Sequence, residues 1–152
     1  MDLPGRIILA RVALAALLGV LIGLDRQHLH KPAGVRTMLM VALGSAVFTL
    51  VGLEIAGMST PRGVDALSRV IQGIIGGVGF LGAGVMIRDR GHVRGVTTAA
   101  GIWVTAGVGV ACGLGAYLIA VIAAAVAIAT FTSSRFIFPG DEHPGGDRPA
   151  DG

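Results

Sequence analysis

Five apolar stretches separated by short polar segments make up most of the chain. The first extends from Ile7 to Leu24 and is interrupted only by Arg11. The others lie near residues 35–55, 70–87, 97–112 and 115–131. Most of them approach the roughly 20 residues that a helix needs to cross the hydrocarbon core of a bilayer. The pattern predicts an all-α fold, a polytopic transmembrane helix bundle of about five spans.

The division between the last two spans rests on one glycine-containing segment. Residues 95–131 form an apolar run about twice the length of one span, so a single helix is too long. The segment "CGLGA", Cys112–Ala116, favours a turn. The fourth span is short and the turn carries no charge. A chain of four spans, with the last two segments fused or re-entrant, is therefore the alternative interpretation.

Composition agrees with a lipid-covered protein. Hydrophobic residues are 53% of the chain and charged residues 14%, whereas soluble domains carry about a quarter charged residues. The single cysteine, Cys112, excludes an intrachain disulfide and is expected to be a buried packing residue. The excess of basic residues is typical of a topology signal, so we predict a lipid environment and no nucleic-acid partner.

Loop charges predict the orientation. The segments 25–36 and 88–94 each hold three basic residues and one acid, whereas 54–69 balances two against two. By the positive-inside rule the first and third loops face the cytoplasm, which places the N-terminus outside and the C-terminus inside. We therefore divide the chain into a membrane domain, 1–138, and a disordered acidic Pro/Gly tail, 139–152.

A glycine-rich stretch in the third span raises a nucleotide-binding alternative. Residues 77–82 fit the pattern G-x-G-x-x-G. A dinucleotide fingerprint requires a preceding strand, a following amphipathic helix and a later acid, whereas these glycines lie inside an apolar run that ends in a charged turn. In lipid, small residues instead let helix backbones approach closely. We therefore predict close helix packing and a central position for the third span.

The predicted helix-packing glycines occur in three spans. They are Gly19 and Gly23 in the first, Gly73, Gly76, Gly77, Gly79, Gly82 and Gly84 in the third, and Gly101 and Gly109 in the fourth.

The second and fourth spans open with a similar pattern. Gly34-Val35 matches Gly95-Val96, and Thr37 matches Thr98. Two such units with the same orientation would bring two helix N-termini to the cytoplasmic surface, where unpaired N–H groups and the positive dipole end suit an anion. Alternatively, the threonines are only helix caps and the neighbouring arginines only topology determinants.

The motifs together resemble a known family. "GLDRQ…KPAGVRT" followed by "GVGFLGAGVMIRDRGHVRGVTTAAGIWVTAGVGVACGLG" is similar to the membrane domain of the MgtC/SapB family from about residue 15 to 127. The family-like positions are Asp25, Arg26, Pro32, Gly34, Arg36, Thr37, Gly79, Gly82, Gly84, Arg94, Gly95, Thr97, Thr98 and Trp103.

The resemblance implies a multi-pass protein of the bacterial inner membrane with about five spans. It also implies a link to growth at low magnesium and survival inside host cells, in a family often labelled magnesium transporters and also viewed as regulators of other membrane proteins. Many relatives carry a soluble domain after the last span. Here only the short tail follows, so functions of that domain are expected to be absent.

The residues themselves argue against magnesium conduction. Magnesium prefers carboxylate and water oxygens, yet no acid lies in the middle of a predicted span. The sequence contains no nucleophile elbow or H-E-x-x-H motif, and we predict no enzyme activity, no metal site and no cofactor. Asp25 is expected to pair with Arg26, Arg36 or Arg94.

We therefore predict a membrane-embedded regulator, linked to magnesium limitation or stress, that contacts another membrane protein and forms a homo-oligomer. The alternative is a small transporter or channel, for an anion or neutral solute by residue chemistry. The predicted functional cluster, on the cytoplasmic side, contains Asp25, Arg26, Gly34, Arg36, Thr37, Arg94, Gly95, Thr97 and Thr98.

Overall fold

The described residues of the protein form a bundle of five helices with one short hairpin. The structure, a computed structural model, describes residues 3–28, 32–56, 61–89 and 92–137. The elements in chain order are α1 (Gly5–His28), α2 (Val35–Ala56), α3 (Pro61–Val85), β1 (Ile87–Asp89), β2 (His92–Arg94), α4 (Val96–Leu114) and α5 (Tyr117–Ile137). The predicted all-α membrane bundle is confirmed. The antiparallel pairing of β1 with β2 was not anticipated.

The helices have the length and composition of membrane spans. Four segments suffice to cross a bilayer: Gly5–Gln27, Val35–Ala56, Arg62–Val85 and Val96–Leu114. The apolar part of α5, Tyr117–Ser133, is slightly shorter. α4 and α5 are separate helices, because Gly115 adopts a left-handed conformation (φ +82°) and its N–H bonds back to Cys112 O, which ends α4.

α2 and α4 run parallel through the middle of the bundle. Both begin at one end, next to the hairpin, which we call the hairpin end. Along α4, Gly109 lies against Ala42, and one turn further Gly113 lies against Ala46 and Thr49, so positions increase together on both helices. α1 packs on α2, α4 and α5, while α3 packs on α2 and α4. The core therefore lies around α2 and α4.

The prediction that the third span is central is wrong. Of the residues in the apolar window of α3, 22% are buried, compared with 56% in α4. Glycine frequency misled the prediction because small residues mark a helix that can be approached closely, whether or not another helix of the same chain is there. α3 also begins nine residues before the predicted start at residue 70. Its first turns were missed because polar residues on one side of the helix interrupt the apolar sequence there.

Candidate functional site

The residues of the predicted cluster gather at the hairpin end. Asp25 and Arg26 lie in the last turn of α1, and Gly34, Arg36 and Thr37 lie at the start of α2. Arg94 ends β2, and Gly95, Thr97 and Thr98 open α4. The ends of two elements and the starts of two helices thus bring together positions that are up to 73 residues apart in sequence.

A buried arginine joins three helices within this cluster. Arg26 is 4% exposed, and its Nη2 donates a hydrogen bond to the hydroxyl of Thr98, which is 2% exposed. The guanidinium also lies over the ring of Phe131, 4.7 Å from the centroid, a cation–π arrangement. Asp25, the neighbouring acid, interacts electrostatically with Arg26. We call Arg26, Thr98 and Phe131 the arginine clamp of α1, α4 and α5.

Other members of the cluster remain outside the clamp. The side chains of Arg36, Arg94 and Thr97 are exposed, and Thr37 is half-buried. Arg26, one of the three arginines considered as partners of Asp25, lies close enough to feel the charge of that carboxylate. The cluster therefore divides into a buried clamp and an exposed basic rim formed by Arg36 and Arg94.

The helix-cap alternative for the threonines of α4 is wrong. The N-cap of α4 is Gly95, in a left-handed conformation (φ +90°) and without a side-chain cap hydrogen bond. The hydroxyl of Thr98 accepts from Arg26 instead. A Cβ at Gly95 would meet the carbonyl oxygen of Val85, so glycine is required both by the backbone conformation and by the close approach of α3.

Five of the predicted packing glycines lie at helix contacts. A Cβ at Gly19 would come within 2.9 Å of Met38 O, and one at Gly23 would come within 2.5 Å of the Cα of Val35. Gly109 lies against Ala42, as described above. The remaining two are Gly101, against Phe131, and Gly82, 3.6 Å from the Cβ of Ala99.

The other five predicted glycines make no contact within the described part of the chain, so the helix packing predicted for them stays a prediction. They are Gly73, Gly76, Gly77, Gly79 and Gly84, and a Cβ at any of them meets nothing within 4 Å. All five lie on α3, which has neighbours on one side only. Their surfaces are open for contacts outside the monomer.

An apolar groove runs along the bundle between α2 and α3. It has a volume of about 610 Å³, and small residues lie in its lining. Its lining residues are Thr37, Met40, Val41, Gly44, Ser45, Phe48, Val70, Gly73, Ile74, Gly77, Val78 and Leu81. The groove begins at Thr37, next to Arg36 of the basic rim. We call it the α2–α3 groove.

Two contributing residues were not predicted as parts of a site. Arg11 lies at the end of the bundle opposite the hairpin, where its Nη1 donates to Gly113 O at 2.7 Å and caps the C-terminus of α4. Phe131 was read only as the end of the last span. An arginine inside an apolar run is itself a signal, because such a charge needs acceptors or an aromatic face nearby.

Metal ligation finds no support among the described residues, where no three His, Cys, Asp or Glu side chains are grouped as ligands. The side chains of His28, His30 and His92, and the tail 139–152, lie outside the described residues.

Comparison with known proteins gives consistent matches. The sequence model of the MgtC family matches residues 12–138. Similar proteins are SrpB of Synechococcus elongatus, 44% identical over 74% of this chain, and MgtC of Salmonella typhimurium, 47% identical over 68%. MgtC of Brucella abortus is 43% identical over 79%. The matched regions cover 66%, 42% and 48% of these relatives, and no solved structure matches.

Proposed function

The chain belongs to the MgtC family, and from that premise we propose that it regulates another membrane protein by direct helix contact, under magnesium limitation or stress. We place it in the bacterial inner membrane as a multi-pass, non-enzymatic protein, with the hairpin end in the cytoplasm. The observation that supports this most is the α2–α3 groove, an apolar surface within the membrane that the described part of the chain leaves uncovered.

The groove fits a single membrane-spanning helix of the regulated protein. Gly44, Gly73 and Gly77 would allow a close approach of backbones, which drives helix association in lipid through van der Waals contact. The exposed guanidiniums of Arg36 and Arg94 make its inner end basic. A partner helix with a small-residue face and an acid at its cytoplasmic end has the complementary shape and charge.

Filling the groove tests the proposal. Gly77→Leu places a side chain in the groove from a position where a Cβ has no atom within 4 Å, so the protein should fold but lose the partner. The matched control is Gly107→Leu, at an equally open position on α4. We expect Gly77→Leu to abolish growth rescue at low magnesium in cells lacking their own family member, at unchanged protein level. Gly107→Leu should keep the rescue.

A photocrosslinking residue identifies the contact directly. Placed at Phe48, which is exposed in the groove, it should yield one adduct with a membrane protein in wild type and none in Gly77→Leu. The same residue at Leu118, exposed on α5, is the control position. Growth rescue by Gly77→Leu equal to wild type contradicts the proposal.

Solute flux separates the proposal from transport. Purified protein in liposomes should pass neither magnesium nor small anions. Flux that Arg36→Ala and Arg94→Ala abolish would replace the regulator with a transporter whose path begins at the basic rim.

A further inference from the structure

The outer side of α3 carries a regular row of polar and small residues, which we call the α3 seam. Its members are Asp65, Arg69, Gln72, Gly76, Gly79 and Ala83. All six are exposed, whereas Leu67, Val78 and Gly82, on the opposite side of the helix, are buried against the bundle. The spacing of four and three residues is that of a heptad seam, which keeps one line of side chains directed at a neighbouring helix.

The position of α3 places most of this seam inside the bilayer. The helix ends at Val85, and the roughly 20 residues that cross the hydrocarbon reach back to about Ala66. Arg69 and Gln72 therefore lie within the membrane, one to two turns from its outer boundary. A polar hollow of about 340 Å³ is formed by Asp65, Ser68, Arg69 and Gln72. Lipid chains offer such groups no hydrogen-bond partner, so exposure to lipid is costly.

We propose that a second copy of this chain covers the seam, through a two-fold dimer in which the two α3 helices lie side by side. Copies inserted in one membrane share their orientation, so the two-fold axis is parallel to the membrane normal and the helices are parallel. Gly76 and Gly79 have no atom near a Cβ position, which lets the two backbones approach at the middle of the membrane.

The charges of the seam favour self-association over a different partner. The seam holds one acid and one base, Asp65 and Arg69, one helical turn apart. In the parallel two-fold dimer the two Asp65 and the two Arg69 form adjacent layers one helical turn apart, so each Asp65 can reach across to Arg69 of the other copy and the interface carries no net charge. Gln72 of one copy faces Gln72 of the other, and paired side-chain amides hydrogen-bond across membrane helices.

This interface leaves the α2–α3 groove open. Gly73 and Gly77 line the groove, and because successive residues on a helix are 100° apart, Gly77 lies to one side of the seam position Gly76. The dimer is therefore additional to the partner contact proposed above, and either can fail without the other.

Disulfide crosslinking tests the seam. In full-length protein with Cys112→Ser, Gly76→Cys and Gly79→Cys each place one thiol on the seam, where the monomer has open space. Matched controls are Gly77→Cys, one residue away on the groove side, and Gly107→Cys on α4. Mild oxidation of native membranes should convert the two seam variants to covalent dimers and leave the controls largely monomeric.

Two outcomes of the crosslinking overturn the proposal. No dimer from Gly76→Cys and Gly79→Cys means that the seam is not a self-contact. Dimers from Gly77→Cys in preference to Gly76→Cys assign the second copy to the groove instead.

Charge exchange provides a second test in the Gly76→Cys background. Asp65→Arg alone, or Arg69→Asp alone, places like charges together and should lower the yield of crosslinked dimer about tenfold, a change of about 1.4 kcal/mol. The double exchange, Asp65→Arg with Arg69→Asp, should restore the yield. Membrane level and thermal stability of each variant control for misfolding. Single variants with wild-type yield, or a double exchange without recovery, contradict the pairing.

Discussion

Two arginines hold α1 against the rest of the bundle, one near each end. Arg26 binds Thr98 and the face of Phe131 at the hairpin end, and Arg11 binds Gly113 O at the opposite end. Each arginine lies in a membrane helix and contacts protein groups rather than lipid. Arg26 contacts a hydroxyl and an aromatic ring, and Arg11 contacts the C-terminus of a helix. The two contacts therefore hold α1 against α4 near both of its ends.

The arginine clamp predicts a measurable coupling between Arg26 and Thr98. Thr98→Val removes the hydroxyl and leaves a buried guanidinium without this partner, which should destabilise the protein by about 1–3 kcal/mol. In the Arg26→Met background, Thr98→Val should lower the free energy of unfolding much less, because the guanidinium that donates to the hydroxyl is already absent. Unfolding in mixed micelles, followed by circular dichroism, gives the coupling energy from the double-mutant cycle. Additive effects of the two substitutions would contradict the clamp.

Substitution of two glycines of α4 by alanine is expected to have opposite effects on stability. A Cβ at Gly109 meets the carbonyl oxygen of Ala42, whereas at Gly107 it meets nothing within 4 Å. Gly109→Ala should destabilise by about 1–3 kcal/mol, since α2 and α4 must separate. Gly107→Ala should leave the stability unchanged or slightly raised, because alanine favours the helix. The same micelle unfolding measures both, and equal midpoints would show that the contact is dispensable.

At the level of elements, the matching starts of α2 and α4 differ in one respect. Both helices begin directly after a glycine, as the repeated Gly-Val pattern indicated. Gly95 has a positive φ and the carbonyl of Val85 against it, whereas Gly34 has only Gln27 at 3.5 Å or more. The hairpin explains the difference, because it returns the chain to α4 directly beside the end of α3.

This difference predicts unequal costs for alanine at the two helix starts. Gly95→Ala combines a strained left-handed residue with a backbone clash, and should lower stability by about 2 kcal/mol or more. Gly34→Ala should be nearly neutral. Thermal unfolding of the two variants shows which substitution lowers stability more. A similar loss of stability in both would mean that the two glycines have equivalent structural roles.

Hydropathy was sufficient to predict the five helices, because each apolar run must be covered by lipid or by another helix. It could not give the start of α3 at Pro61, since Arg62, Asp65 and Arg69 lie on a helix whose other side is apolar. Small residues indicated close contact correctly at Gly109. They could not say with which chain the contact is made, and this is why α3 was wrongly expected at the centre of the bundle.

The candidate site was predictable in location and not in its internal pairing. The motifs placed Asp25, Arg36 and Arg94 at one end of the bundle, because each lies beside a connection between two helices at that end. The contact of Arg26 with Phe131 depends on how α5 returns past α1, a tertiary relation with no local signal.

For the whole molecule, the charge pattern predicts a single orientation. Arg36→Cys and Arg94→Cys, in the Cys112→Ser background, should react with a membrane-impermeant thiol reagent only after the inner side is exposed. Ala116→Cys, in the turn between α4 and α5 at the opposite end, should react in intact cells. Labelling of the two hairpin-end positions on opposite sides would contradict both the orientation and the fold.

The parallel pairing of α2 with α4 has a consequence for biosynthesis. α2 buries Ser45 and Thr49, and the surface that covers this side belongs to α4, whose first residue follows the last of α2 by 40 positions. Chains are made from the N-terminus, so α2 and α3 enter the bilayer before that cover exists. The translocation machinery or its lipid surroundings must therefore accommodate a half-finished, partly polar helix until α4 has left the ribosome.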